Sequence, residues 1–449
     1  MGNVTRRAFL KGSTICLTAL GGLRLGLDPR KAKASWNGNN FIVYLFLRGG
    51  CDGLSLVAPL SGPDRDSYVE KRPSLYMRTT GDTAGLPLSG DFGLNYAATG
   101  LHDLYQQGKL AVVHGIGFPL EQISRSHFDA QDYCDLGTPG NTRTATGWLA
   151  RHLESIGQVP DGAQIPALAS GSAPPLSYLG RRDVMTLDDP SSFHPNGNSG
   201  TTVDGQPLYK ASTMITINQM YAGTGALDLA GLGAANTVEL VDSLDLADYT
   251  PSPGAVYPTT GAGVTLGNQA KLIANVAKHE VGLQVATLDY GGWDTHENQG
   301  AGDQGINNNQ YAARVDGLSQ VLTALYNDLA GSGIADRMIV CVQSEFGRRV
   351  RENANHGTDH GSGNPMLVLG GRVRGGQLFG TFGGLQDGEL FQNEDVATTT
   401  DTRRVLSEVV TQHLGNGDLA SVFPGYAYPG PLGILPGAPV DAIFANGFE

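Results

Sequence analysis

Seven consecutive apolar residues, Phe41-Ile-Val-Tyr-Leu-Phe-Leu47, end abruptly at Arg48-Gly49-Gly50. A run with no polar alternation does not suit a strand with one wet face, and it is short for a buried helix. It predicts a strand covered on both sides, the situation of parallel sheets flanked by helices. Comparable short runs follow at Leu110–Ile116, Val281–Leu288, Met338–Val342 and Met366–Leu369, separated by stretches with helical spacing. The clearest helix is Tyr311–Leu329, where Val315, Leu318, Val321, Leu322, Leu325 and Leu329 recur at three- and four-residue steps before Gly331 and Gly333 stop it. The pattern is that of an α/β fold: a mostly parallel central sheet with helices on both faces. The Ser, Gly, Asn and Pro rich segment 188–205 and the Gly and Ala rich segment 222–236 are expected as loops around a helical insertion.

Charge narrows the function. The 449 residues carry 30 Lys and Arg against 43 Asp and Glu, a formal charge of -13, which offers no basic footprint for nucleic acid. The positive residues are unevenly placed. Thr5-Arg6-Arg7-Ala8-Phe9-Leu10-Lys11 precedes a short apolar stretch from Ser13 to Leu23, and Ala32-Lys33-Ala34 offers small residues at alternating positions. That is the layout of a twin-arginine export signal over residues 1–34, too short to span a bilayer. Its removal leaves 23 basic and 42 acidic residues, near -19. The mature chain is expected outside the cytoplasm, periplasmic or secreted or at the cell surface, with no transmembrane anchor. Three of the four cysteines, Cys51, Cys134 and Cys341, remain after cleavage. They allow at most one disulfide, and no Cys-x-x-Cys pair suggests structural zinc.

In parallel sheets the reactive groups gather beyond the carboxyl ends of strands, and four such segments are rich in them. Arg48-Gly-Gly-Cys-Asp52 places one carboxylate after the first strand, either as a turn or cap residue or as a ligand. Ser124-Arg125-Ser126-His127-Phe128-Asp129 reads as a helix start, in which Ser126 is a cap or a nucleophile. Gly291-Gly-Trp-Asp294-Thr-His296 brings an Asp and a His onto an irregular segment where both can turn to one metal. Ser344-Glu345-Phe-Gly-Arg348, with Gly357-Thr-Asp359-His360-Gly361, adds two carboxylates and an imidazole. Together they favour a metal site.

These motifs, taken in order, resemble the exported bacterial DUF1501 family over roughly residues 40–428. That family is similar to the alkaline phosphatase and sulfatase superfamily. The resemblance implies an alkaline phosphatase-like core holding one or two divalent metals, zinc first, with calcium or manganese as alternatives. By position, Asp52, Asp294, His296, Glu345, Asp359 and His360 would be the metal ligands, and Ser126 the nucleophile. The superfamily's tandem Asp-His is replaced by Glu345-Phe346, and its Asp-x-x-x-His spacing is shortened to Asp294-Thr295-His296.

The function so implied is that of an exported metal-dependent hydrolase-like protein acting on phosphate or sulfate esters. His127 would be the general acid or base, and Arg125 or Arg48 would clamp the transferred group, unless those arginines form structural ion pairs. Its substrates would be small anionic esters or sulfated or phosphorylated glycans. The alternative is a non-catalytic, metal-stabilised envelope binding or assembly protein with a protein partner. Residues 429–449 are expected as a linker and tail, and Asp441–Glu449 resembles a short sorting tag.

Overall fold

The computed structural model describes residues 39–156, 163–181, 183–188, 208–244, 249–300 and 310–437. The expected export signal and the sorting tag lie outside the described residues. In chain order the elements begin with β1 (Phe41–Leu47), β2 (Val57–Pro59), β3 (Leu86–Pro87), β4 (Phe92–Leu94), α1 (Thr99–Gln106), β5 (Leu110–Gly117), α2 (His127–Leu136) and α3 (Trp148–Ser155). They continue with β6 (Ala167–Ser170), β7 (Val184–Leu187), α4 (Leu208–Met220), α5 (Ala226–Ser243), α6 (Val264–Lys278), β8 (Val285–Tyr290) and α7 (Gln310–Gly331). The last are β9 (Met338–Gln343), β10 (Asn364–Gly370), β11 (Leu378–Phe379), β12 (Thr400–Asp401) and α8 (Thr402–Gln412).

The main sheet has the order β11-β5-β10-β9-β1-β8-β6-β7, with β12 beside β5. Only β10 runs against its neighbours; β1 pairs in parallel with β8 on one side and β9 on the other. The apolar run Phe41–Leu47 is thus an interior strand, as its composition predicts. Its alternation decides what covers each face. Phe41, Val43, Leu45 and Leu47 pack with residues of α1, α6 and α7, whereas Ile42, Tyr44 and Phe46 pack with Trp148 and Leu149 of α3 and Val405 and Val409 of α8. The chain is an α/β protein with helices on both sides of a mostly parallel sheet.

Three local expectations need correction. The run expected from Val281 becomes strand only at Val285, because Glu280 (φ 54°) and Gly282 (φ 86°) turn the chain first. The Gly and Ala rich stretch 222–236 is mostly helix from Ala226. Gly231 is there for packing: a methyl at that position would fall 2.2 Å from the Tyr221 ring just after the preceding helix. Residues 429–437 are not a loose linker. Glu408 accepts the amides of Leu432 (2.6 Å), Gly433 (3.2 Å) and Leu435 (2.8 Å), and Ile434 and Leu435 are buried.

Cys51, Cys134 and Cys341 are buried free thiols. No described helix is long and apolar enough to cross a membrane.

Three imidazoles sit within this core. Burial lowers His114, His152 and His413 to about 4, against about 6.5 for an unfolded imidazole. Between those values the unfolded chain binds protons that the folded one refuses, so stability falls as pH drops through that window. Asp135, which burial pushes up to about 6, works the other way over part of the range but is outnumbered. The thermal midpoint is expected to fall steadily between about pH 6.5 and pH 4; a flat profile would contradict the assignment.

Candidate metal centre

The parallel alignment of β1, β8 and β9 brings the segments after them to one edge, where the turn 48–52, the loop 291–296 and the segment 344–348 meet. Gly49 makes the contact close. Its φ is 120°, and a Cβ there would stand 2.6 Å from the Asp294 amide nitrogen. His127 arrives from the first turn of α2, and His360 from the segment that leads into β10.

Asp294 is the point of convergence. Its Oδ1 lies 3.0 Å from His296 Nε2, 3.4 Å from His360 Nε2 and 3.5 Å from His127 Nε2. Arg348 Nη2 donates to the same oxygen at 2.6 Å. His127 and His360 with Asp294 present ligand atoms all within 4.8 Å of one another. The outer nitrogens are equally fixed. His127 Nδ1 meets Glu345 Oε1 at 2.8 Å, His296 Nδ1 meets Asp359 Oδ1 at 3.1 Å, and His360 Nδ1 meets the Arg125 carbonyl at 2.7 Å.

Those outer partners only accept, so each neutral ring must place its proton on Nδ1 and leave a lone pair on Nε2. Two of the lone pairs, on His296 and His360, then face each other at 2.9 Å, and the buried His127 Nε2 has no hydrogen-bond partner. Arg348 Nη1 also faces the His296 nitrogen at 3.4 Å, and the remaining lone-pair contact is relieved either by a proton on one ring, which then donates from Nε2, or by a cation between the rings. Imidazoles held by carboxylate or carbonyl acceptors and turned toward a shared carboxylate are a donor set that fits a divalent metal. Asp294 and His296 are 48% and 41% exposed, which leaves one side open for a further ligand.

The electrostatics keep the carboxylates charged. Burial opposes ionisation of Asp294, but the hydrogen bond and charge of Arg348, with His296 and His127, hold it at about 2. Glu345 is likewise held at about 2 against its burial by hydrogen bonds from His127 and Gln131. His127 is raised above its ordinary value, chiefly by its bond to Glu345, while burial lowers His360. A metal would therefore compete with a proton at His127.

The structure redistributes the expected roles. Asp294, His296 and His360 converge, and His127 joins them as a ligand candidate instead of a free acid or base. Glu345 stands behind His127, accepting also from Gln131 Nε2 (2.8 Å), the Gly49 amide (2.9 Å) and Ser344 Oγ (2.8 Å). Asp359 stands behind His296. Both orient imidazoles and do not face the centre. Asp52 is no ligand here: it is fully buried, with Arg72 donating to both of its oxygens at 2.6 and 2.9 Å and with Ser55 and Gln299 each donating at 2.6 Å. Arg72 holds it ionised against its burial.

Arg125 and Arg48 are structural ion pairs, the alternative that the sequence left open. Arg125 binds the buried Asp395 at 2.6 Å, and Arg48 binds Asp135 at 3.3 Å and Asp289 at 3.0 Å. Ser126 caps α2 in position only: its hydroxyl makes no cap bond. The residue that sequence reasoning missed is Arg348. It stood in a quoted motif beside Glu345, and that adjacency was the available signal. Arg72 lies in no motif and gave none.

Fold and site together define an α/β protein with a His and Asp centre at the carboxyl edge of its sheet. Residues 229–420 match the family described as "Protein of unknown function (DUF1501)", the family its motifs resemble, and the matched segment holds Asp294, His296, Glu345, Arg348 and His360. Asp52 and the Arg125–Gln131 motif precede it. Comparison with curated proteins gave no match. Among solved structures, "Crystal structure of Ps i-CgsB" aligns with a TM-score of 0.34 at 12% identity, covering 76% of this chain and 68% of that one. "Crystal structure of Ps i-CgsB in complex with k-i-k-neocarrahexaose" aligns with a TM-score of 0.37 at 10% identity, covering 86% and 74%. At such scores neither carries an argument about this site.

Removing one member of the buried Asp52 and Arg72 pair leaves an uncompensated charge, so Arg72→Met is expected to cost about 3–5 kcal/mol in denaturant unfolding. Asp52→Asn should leave metal uptake intact when the folded protein is loaded and assayed. Loss of metal with the fold retained would return Asp52 to the ligand set.

Proposed function

We propose that the chain is an exported, metal-dependent hydrolase-like protein acting on phosphate or sulfate esters. One observation carries the reading: three imidazole Nε2 atoms turn to Asp294 with every Nδ1 anchored by an acceptor. The nitrogen-rich donor set supports zinc before calcium or manganese, which prefer oxygen ligands. When bound, the cation would supply a Lewis acid that lowers the pKa of a hydroxyl or water and neutralises charge developing on the reacting group.

The chain's own residues would prepare that chemistry. Glu345, Asp359 and the Arg125 carbonyl hold the rings in one tautomer. Arg348 fixes Asp294 and keeps it ionised. Ser126, next to His127 at the start of α2 and free of a cap bond, is the proposed nucleophile, near amides that suit an anion. The open side at Asp294 and His296 admits substrate.

Purified mature protein is expected to hold a divalent metal and to hydrolyse aryl phosphate or aryl sulfate esters, with Ser126→Ala lowering turnover by about 10²-fold or more. Metal without turnover would shift the assignment to a non-catalytic envelope binding protein with a protein partner. No uptake of zinc, manganese or calcium would remove both readings.

Residues 1–34 are proposed as a twin-arginine signal that delivers the chain to the periplasm, the medium or the cell surface. Replacing Arg6 and Arg7 together by Lys should leave the precursor in the cytoplasm on fractionation. Unchanged export would refute the route.

A further inference from the structure

The guanidiniums nearest the centre are already committed. Arg348 is bonded to Asp294, Arg125 to Asp395, Arg72 to Asp52, and Arg48 to Asp135 and Asp289. Around them Asp294, Glu345 and Asp359 leave the centre itself acidic. An anionic ligand therefore meets no free arginine in the motifs, and a strongly acidic chain repels it unless a local charge reverses the field.

Arg314 is placed differently. It lies in the second turn of α7, half-buried, and the Tyr290 hydroxyl at the end of β8 donates to its carbonyl at 3.3 Å. Its side chain rests on the loop that carries Asp294. A methyl on Gly292 would fall 2.5 Å from Arg314 Nε and 2.6 Å from Nη2, so the guanidinium lies against the bare face of that glycine, two residues before Asp294. Among the described residues Arg314 has no carboxylate partner, and its side chain donates from Nη1 to Gln310 O of its own helix at 3.1 Å. No other described residue takes a hydrogen bond from its planar donor fork. A side chain on Gly292 would displace it, which gives the second glycine of Gly291-Gly292 a reason beyond the turn.

We propose that Arg314 is the anion-recognition residue of this site, taking an oxyanion group of the ligand through the donors that no described residue takes up. The proposal deepens the hydrolase reading and rests on it: the ligand is an ester bearing a sulfate, phosphate or carboxylate group, held between the centre and Arg314. A guanidinium fork matches such groups in a bidentate manner that a lysine cannot copy.

The test uses the metal-loaded full-length mature protein and phenylphosphonate as a non-hydrolysable probe, titrated calorimetrically. Arg314→Gln is expected to weaken binding at least about tenfold, the order of one charge-assisted hydrogen bond, and Arg314→Lys to restore part of it. Metal content and thermal midpoint should stay at wild-type values, since the residue is only half-buried. With a hydrolysed aryl ester the same variant should raise KM and leave kcat nearly unchanged. Unchanged probe affinity in Arg314→Gln, or no binding by wild type, overturns the proposal. If no metal is taken up, the metal reading fails separately, and the same titration on the metal-free protein still decides the role of Arg314.

Discussion

One buried guanidinium holds the functional edge of this protein together. Arg348 donates to the carbonyls of Gly49, Gly50, Trp293 and Thr358 as well as to Asp294. It thereby ties the turn after β1, the loop after β8 and the segment before β10 to the segment after β9. Apart from the short antiparallel bridge between Arg348 and His360 these segments are loops, and the carbonyls that meet in their buried junction call for donors. A planar group with five N–H bonds in fixed directions can satisfy several at once. The positions of Asp294, His296 and His360 follow from that junction, because each stands on a segment that Arg348 fastens.

A second buried arginine shows how similar residues can take unlike jobs. Asp52 follows the same strand as Arg48 and stands where the sequence reading expects a ligand, yet Arg72 closes both of its oxygens. A carboxylate that already accepts four hydrogen bonds in a dry interior has little to offer a metal. The pair instead anchors the segment after β1 to residues 349 and 350, whose carbonyls take the remaining Arg72 donors. Positional resemblance located a real structural element and assigned it the wrong chemistry.

The orientation of the imidazoles depends on an outer layer. Glu345, Asp359 and the Arg125 carbonyl accept the three Nδ1 protons, and Asp395 in turn pairs with Arg125. Of these, Glu345 and Asp359 were visible as residues worth attention, but as ligands. Spacing along the chain shows that a carboxylate is near a strand end. It does not tell on which side of an imidazole that carboxylate will stand, since Glu345 and His127 are separated by 218 positions and meet only in the fold.

By itself the sequence determined the fold class, because unbroken apolar runs such as Phe41–Leu47 can be buried only between two layers, and helical spacing over Tyr311–Leu329 supplies one of them. It also marked segments that the fold brings to one edge, since polar clusters follow those runs. The tertiary structure alone decided which of them meet. Ionic partners such as Arg72 for Asp52 and Arg348 for Asp294 are chosen by distance in space and by the cost of leaving a charge buried and unpaired, and neither quantity is written in local spacing. The same reason left Arg314 unmarked: only the packing of α7 on Gly292 brings its guanidinium against the loop that carries Asp294.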